Sequence, residues 1–185
     1  CNRQLTRAMH DRPFVWCGVI GPVPVSADVA AQVDAALTAL VPSFGLRGLG
    51  SLDFLGFEED GRIEVLEVNA RMPASAQLYA AAGCNVIEAH VRACERGVLP
   101  AATTTIGPRG VAVVFAPREL QLSDAAARWL ATQPDVHDIP AQATRFRAGD
   151  PVCSVGARGD DAAAVQEHLT QRAQALLAAL ETFEK

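Results

Sequence analysis

The chain has 185 residues, half of them hydrophobic and a fifth charged, with a net charge of -5. That size and balance support one core or two small ones, and exclude a chain too polar to fold. A general nucleic-acid surface is excluded too, because phosphate binding needs a clustered basic face and Lys185 is the only lysine.

Residues 1–25 read as extended segments and turns, with Pro13, Pro22 and Pro24 blocking a helix. Within them Phe14-Val15-Trp16-Cys17-Gly18-Val19-Ile20 is a plausible buried strand. Ser26 then caps a helix in which Val29, Val33, Leu37 and Leu40 recur at helical spacing, and Pro42 ends it. From Gly45 the period changes. Residues 48–57 and 62–69 are strand-like and flank Glu58-Glu59-Asp60-Gly61, a strong hairpin signal. Simple alternation would put Ile63, Val65, Glu67 and Asn69 on one face, and Glu64, Leu66 and Val68 on the other.

Beyond Pro73, Ser75 is expected to cap a short helix through Tyr79 to Ala82. Asn85 with Glu88 three residues on has the form of a capping box for a helix that runs to Arg96 and stops at Gly97. Residues 100–108 form a polar connection, and residues 110–116 a clear strand. A short helix over residues 123–131 follows, then turns and strands around Gly149-Asp150-Pro151. Asp160 or Asp161 caps the last helix, with Val165, Leu169, Ala173, Leu176, Leu177 and Leu180 on one face.

The polar residues of the hairpin stand out. Asp53 interrupts an apolar strand, Glu67 and Asn69 share a face two residues apart, and the turn makes Asp53 and Glu67 near cross-strand neighbours. Two carboxylates and an amide oxygen on one face destabilise a sheet unless a cation joins them. Magnesium, which takes a few carboxylates together with phosphate oxygens, suits such a set. Arg71 falls on the same side and can hold a phosphate or carboxylate bidentately. On pattern alone a plainer reading stands beside this one: a wet strand face whose acids pair with Arg47 or Arg62.

The run Gly48-Leu-Gly-Ser-Leu-Asp53-Phe-Leu, the acidic glycine turn, and Glu64-Val-Leu-Glu67-Val-Asn69-Ala-Arg71 resemble the metal-binding strands of the ATP-grasp superfamily. The resemblance implies that Asp53, Glu67 and Asn69 hold magnesium, or manganese in its place, against ATP phosphates. Arg71 would act as a catalytic residue that contacts phosphate or substrate. Many relatives carry Pro after the Asn, where this chain has Ala70. Residues 110–180 are similar, more loosely, to the small C-terminal domain of carboxylase-like members. The implied fold is therefore α+β: the C-terminal part of an ATP-grasp fold over residues 1–99, an antiparallel sheet with helices, plus a small C-terminal α/β domain over residues 100–185.

The implied activity is that of an ATP-dependent carboxylate–amine ligase related to biotin carboxylase, acting through an acyl-phosphate. Its implied partners are ATP, a small carboxylate and an amine; a homodimer is one expected assembly. Family members clasp ATP with an earlier subdomain that supplies lysines and a glycine-rich loop, and no lysine precedes Lys185. The chain also opens on Cys1 without Met. The missing N-terminal half is thus expected elsewhere in the same or another chain, and the chain alone is expected to be inactive. The alternative is a non-catalytic ATP-grasp-like subunit that supports a partner. A lipoyl- or biotin-like carrier is disfavoured, because a carrier needs a lysine on a hairpin.

Other candidates carry less. The five cysteines include no C-x-x-C pair and read as free thiols of a reducing cytoplasm, most of them small buried hydrophobes. No apolar stretch approaches the roughly 20 residues needed to span a bilayer, and no signal peptide is visible, so a cytoplasmic protein without a membrane partner is expected. His10, His90, His137 and His168 share no ligand spacing, and the glycines of residues 45–50 lack the context of a dinucleotide site. Ser154 lacks a nucleophile-elbow setting, whereas Ser75, in the loop beyond Arg71, is a candidate for substrate contact.

Overall fold

The structure, a computed structural model, describes residues 1–9, 11–57, 59–79, 85–99 and 107–183. In chain order its elements are β1 (Arg3–Met9), β2 (Arg12–Gly21), α1 (Ala27–Ser43), β3 (Ser51–Gly56) and β4 (Ile63–Asn69). A 3-10 turn (Ala74–Tyr79), α2 (Val86–Arg96), β5 (Arg109–Phe115), β6 (Leu120–Leu122) and α3 (Asp124–Ala131) follow. The last are β7 (Val136–His137), β8 (Thr144–Phe146), β9 (Pro151–Arg158), α4 (Ala162–Leu180) and a final 3-10 turn (Glu181–Phe183). They divide into two units: Cys1 with Pro24–Ile106, and Asn2–Val23 with Gly107–Lys185.

The second unit is built on an antiparallel sheet in the order β1-β2-β5-β9-β7. One face of it meets α4, whose Val165, Leu169, Leu176 and Leu180 are buried in a core shared with Ile20, Val114 and Val155. The helix comes close enough that a Cβ on Gly110 would lie 2.9 Å from both Leu169 Cδ1 and Val165 Cγ1, so a larger residue there would push these core side chains aside. Asp161 caps α4, its carboxylate accepting from the Ala164 N–H at 2.8 Å. The boundary expected at residues 99 and 100 differs from this division. Gly18, Val19, Ile20 and Gly21 pair with Ala112, Val111, Gly110 and Arg109, which joins the first two strands to the C-terminal unit.

Cys153 lies in this core, and burial, with the Asp138 carboxylate second, pushes its thiol from the ordinary 9.0 up to about 11. A raised acid favours the protonated native state. Its contribution to stability is therefore complete below pH 9.0 and is lost as pH rises toward about 11. Urea unfolding of the wild type should show this alkaline loss, and Cys153→Val should remove its share; equal pH dependence in both chains would contradict the assignment. The cysteines do not behave as a class: Cys1 is exposed, and Cys17 and Cys94 are half-buried. Cys84 lies outside the described residues.

In the first unit Ser26 caps α1, its hydroxyl accepting from the Val29 N–H at 3.2 Å. Pro42 falls inside the last turn of that helix. Gln32 ties α1 to the hairpin: its Nε2 donates to the Gly61 carbonyl at 2.8 Å, and its Oε1 accepts from the Ile63 N–H at 3.1 Å. Asn85 caps α2 by accepting from the N–H groups of Ile87 and Glu88, and Gly97 closes it in the left-handed conformation. After Pro73 the chain makes the 3-10 turn in place of the short helix expected through Ala82, and residues 80–84 lie outside the described set. Only Ala76, Leu78 and Ala93 are buried among the described residues of this unit, and α1 buries none. No helix among the described residues is long and apolar enough to cross a membrane.

Candidate functional site

The hairpin has an irregularity that simple alternation from Ile63 to Asn69 does not allow for. Asp53 pairs with Glu67, but Phe54 pairs with Val65, leaving Leu66 as an extra residue in β4. The bulge reverses the faces beyond it. Glu67 and Asn69 share the face of their partners Asp53 and Ser51, whereas Val65 and Ile63 turn to the other side with Phe54. This corrects the expectation that Ile63 and Val65 continue the Glu67 face, and it places Glu64 on the Asp53 side. The turned-away Val65 lines an apolar cavity with Val68 and with Leu40, Phe44 and Leu46.

Asp53 and Glu67 are thus direct cross-strand partners, a spacing that puts Cβ atoms about 4.5–5.5 Å apart. Asn69 Nδ2 donates to Glu67 Oε1 at 2.9 Å, and Arg71 Nη2 donates to Asn69 Oδ1 at 3.1 Å. Glu67, Asn69 and Arg71 therefore form one hydrogen-bonded row, with Asp53 facing it across the hairpin. Asp53 and Asn69 are half-buried, Glu67 and Arg71 exposed. The plainer reading has these acids facing water and paired with Arg47 or Arg62. Arg62 is engaged elsewhere: it meets Glu64 at 2.8 Å and Asp60 at 3.6 Å, and lies over the Phe57 ring. Among the described residues no arginine forms an ion pair with Asp53 or Glu67.

That donor set suits a divalent cation held partly by phosphate. No group of three His, Cys, Asp or Glu side chains among the described residues could hold a metal unaided. Two carboxylates and an amide oxygen are what magnesium takes when nucleotide phosphates and water complete its shell. Asn69 Oδ1 has a second lone pair beyond the one that Arg71 uses.

The remaining candidates separate cleanly. Ser75 is half-buried in the 3-10 turn after Arg71. His137 is exposed in β7, and exposed His168 donates from Nδ1 to the Arg158 carbonyl at 2.8 Å. His10 lies outside the described residues. Ser154, the one buried polar side chain described, donates to Asp138 at 2.5 Å and closes a local contact in the second unit. His90 accepts a hydrogen bond from the Leu49 N–H, a contact that no spacing in the sequence announces.

No protein-family model matches the chain, and no curated protein matches its sequence. Its fold does match solved structures. The L-amino acid ligase of Bacillus licheniformis superposes with a TM-score of 0.65 over 88% of this chain and 44% of that one, at 12% identity. The carboxyaminoimidazole ribonucleotide synthase of Aspergillus clavatus, solved with ATP, gives 0.61 over 94% and 45%, at 16% identity. The ATPase subunit of phosphoribosylaminoimidazole carboxylase from Aquifex aeolicus gives 0.60 over 94% and 50%, at 15% identity. These neighbours are ATP-grasp ligases. The chain has the mixed α and β fold of a part of them, antiparallel sheets with helices, and spans about half the length of each.

Proposed function

We propose that this chain is the metal-binding part of an ATP-dependent carboxylate–amine ligase of the ATP-grasp type. The observation that carries the reading is the face on which Asp53 opposes Glu67, with Asn69 and Arg71 in the same hydrogen-bonded row. Asp53, Glu67 and Asn69 would hold a magnesium or manganese ion. When bound there, the ion supplies positive charge opposite the phosphates of ATP. Arg71 keeps guanidinium N–H groups free of its contact with Asn69, and these can donate to a phosphate or a substrate carboxylate. The reaction moves the γ-phosphoryl group from ATP to a carboxylate oxygen, releasing ADP. An amine nitrogen then attacks the acyl carbon and gives up a proton to solvent, the C–N bond forms, and phosphate leaves with the C–O bond electrons. Ser75, in the turn beyond Arg71, would contact the substrate.

The nucleotide-clasping half would come from the same or another chain. Two observations support that part of the reading. The chain matches about half of each neighbour. The first unit also leaves Phe44 70% and Leu66 61% exposed beside Leu40, Leu46, Val65 and Val68, an apolar surface on a unit with few buried side chains among the described residues. The alternative, a non-catalytic subunit, draws on the single lysine at position 185.

An ATP-turnover assay tests the reading. The chain alone should release phosphate only at background, and the chain completed by its other half should show release that depends on a carboxylate and an amine. Magnesium-dependent turnover by the chain alone would overturn the division of labour. No turnover in the completed protein would leave the non-catalytic subunit.

A further inference from the structure

The loop that feeds β3 is pinned from outside the hairpin. The Leu49 N–H donates to His90 Nδ1 on α2 at 2.9 Å. A ring nitrogen that accepts carries no proton, so the neutral ring bears its proton on Nε2, which faces Cys94 Sγ at 3.8 Å. Beside this contact Gly48 is left-handed, with φ +80°, and a Cβ there would meet His90 Nδ1 at 2.6 Å and Cys94 Sγ at 2.7 Å. His90 and Cys94, one turn apart on α2, therefore occupy the space over Gly48. Two residues on, a Cβ at Gly50 would lie 2.9 Å from the Asn69 carbonyl oxygen.

The three residues thus run from α2 to the end of β4: Gly48 and Leu49 against His90, Gly50 against Asn69. Ser51 then pairs with Asn69 and Asp53 with Glu67. The approach of β3 to β4, and with it the placing of Asp53 against Glu67 and Asn69, follows from where the loop is held. Few buried side chains in this unit can hold it otherwise.

We propose that His90 is a positioning residue for the oxygen cluster of Asp53, Glu67 and Asn69, acting through its acceptor bond to Leu49. The role rests on the metal site proposed above. Residues that orient a metal's ligands from behind typically alter affinity about tenfold to a hundredfold when changed. Acting through a backbone loop, His90 belongs at the lower end.

The test compares manganese affinity, read by electron paramagnetic resonance, in the complete protein and four variants, with thermal unfolding recorded for each. His90→Phe fills the space without an acceptor and should weaken binding about tenfold. His90→Asn, whose Oδ1 stands close to the position of Nδ1, should restore most of the affinity. Gly48→Ala, strained at φ +80°, disturbs the loop from its other side and should weaken binding in the same direction. Wild-type affinity in His90→Phe or Gly48→Ala would overturn the proposal, as would equal loss in His90→Phe and His90→Asn. Asp53→Asn separates the two levels. If it leaves manganese binding unchanged, the metal site itself fails; if it abolishes binding while His90→Phe keeps wild-type affinity, only the role of His90 fails.

Discussion

Replacing Glu67 by glutamine in the completed protein is expected, on the proposed ligase reading, to slow ligation about a hundredfold to a thousandfold while leaving the fold intact. Glutamine keeps the shape and keeps an oxygen to accept from Asn69 Nδ2, the contact now at 2.9 Å. What it removes is one negative charge from the face proposed to oppose the phosphates of ATP. Preorganised electrostatic contributions of this kind are typically worth about 3–4 kcal/mol at the transition state. Stability should hold or rise, because Glu67 faces Asp53 directly across the hairpin and no arginine among the described residues pairs with either. Glu64→Gln is the control. Glu64 lies further along the same face, but its carboxylate is already engaged by Arg62 at 2.8 Å, so its loss should be nearly silent. Single-turnover rates and thermal unfolding on both variants decide the matter. Equal loss at both positions would mean general damage to the strand, and loss at neither would leave a scaffold.

Leu169→Ala is expected to cost about 2–5 kcal/mol of unfolding free energy. The side chain is 2% exposed and sits where α4 closes on Gly110 and Ile20, so nothing can collapse cheaply into the space it leaves. Phe44→Ala is the informative contrast. At 70% exposure it should barely change urea unfolding of the chain alone, since an exposed ring gives up little buried surface. In the completed protein the same truncation should weaken association of the two halves, if the apolar surface beside Leu40, Leu46 and Val65 is covered there. Equal effects in both settings would remove that support for a clasping half.

Much of this was legible because local chemistry specifies it. Ser26 and Asn85 cap where their side chains can accept from free N–H groups, Gly97 ends α2, and Asp60-Gly61 turns the hairpin. The buried stripe of α4 follows from its period alone. What local pattern could not carry is pairing over distance. β2 reads plainly as a strand, yet nothing in its residues says that it will lie against β5, and the division of the chain depends on that. The bulge at Leu66 was hidden for a related reason. Alternation along β4 does break once, where Val65 and Leu66 stand together as adjacent apolar residues, but only the register against β3 shows which residue is skipped. Its consequence is chemical, since it separates Glu67 and Asn69 from the apolar residues that alternation had grouped with them.

The most direct test of the site is a crystal structure of the complete protein with manganese and a non-hydrolysable ATP analogue, read by anomalous scattering. A manganese peak is expected bound by side-chain oxygens of Asp53, Glu67 and Asn69 at about 2.0–2.2 Å, the distance usual for small divalent cations on oxygen ligands. Phosphate oxygens should complete its shell, with Arg71 turned toward them. Nucleotide bound with the manganese held by other residues, or with Asp53 and Glu67 facing water, would contradict that site.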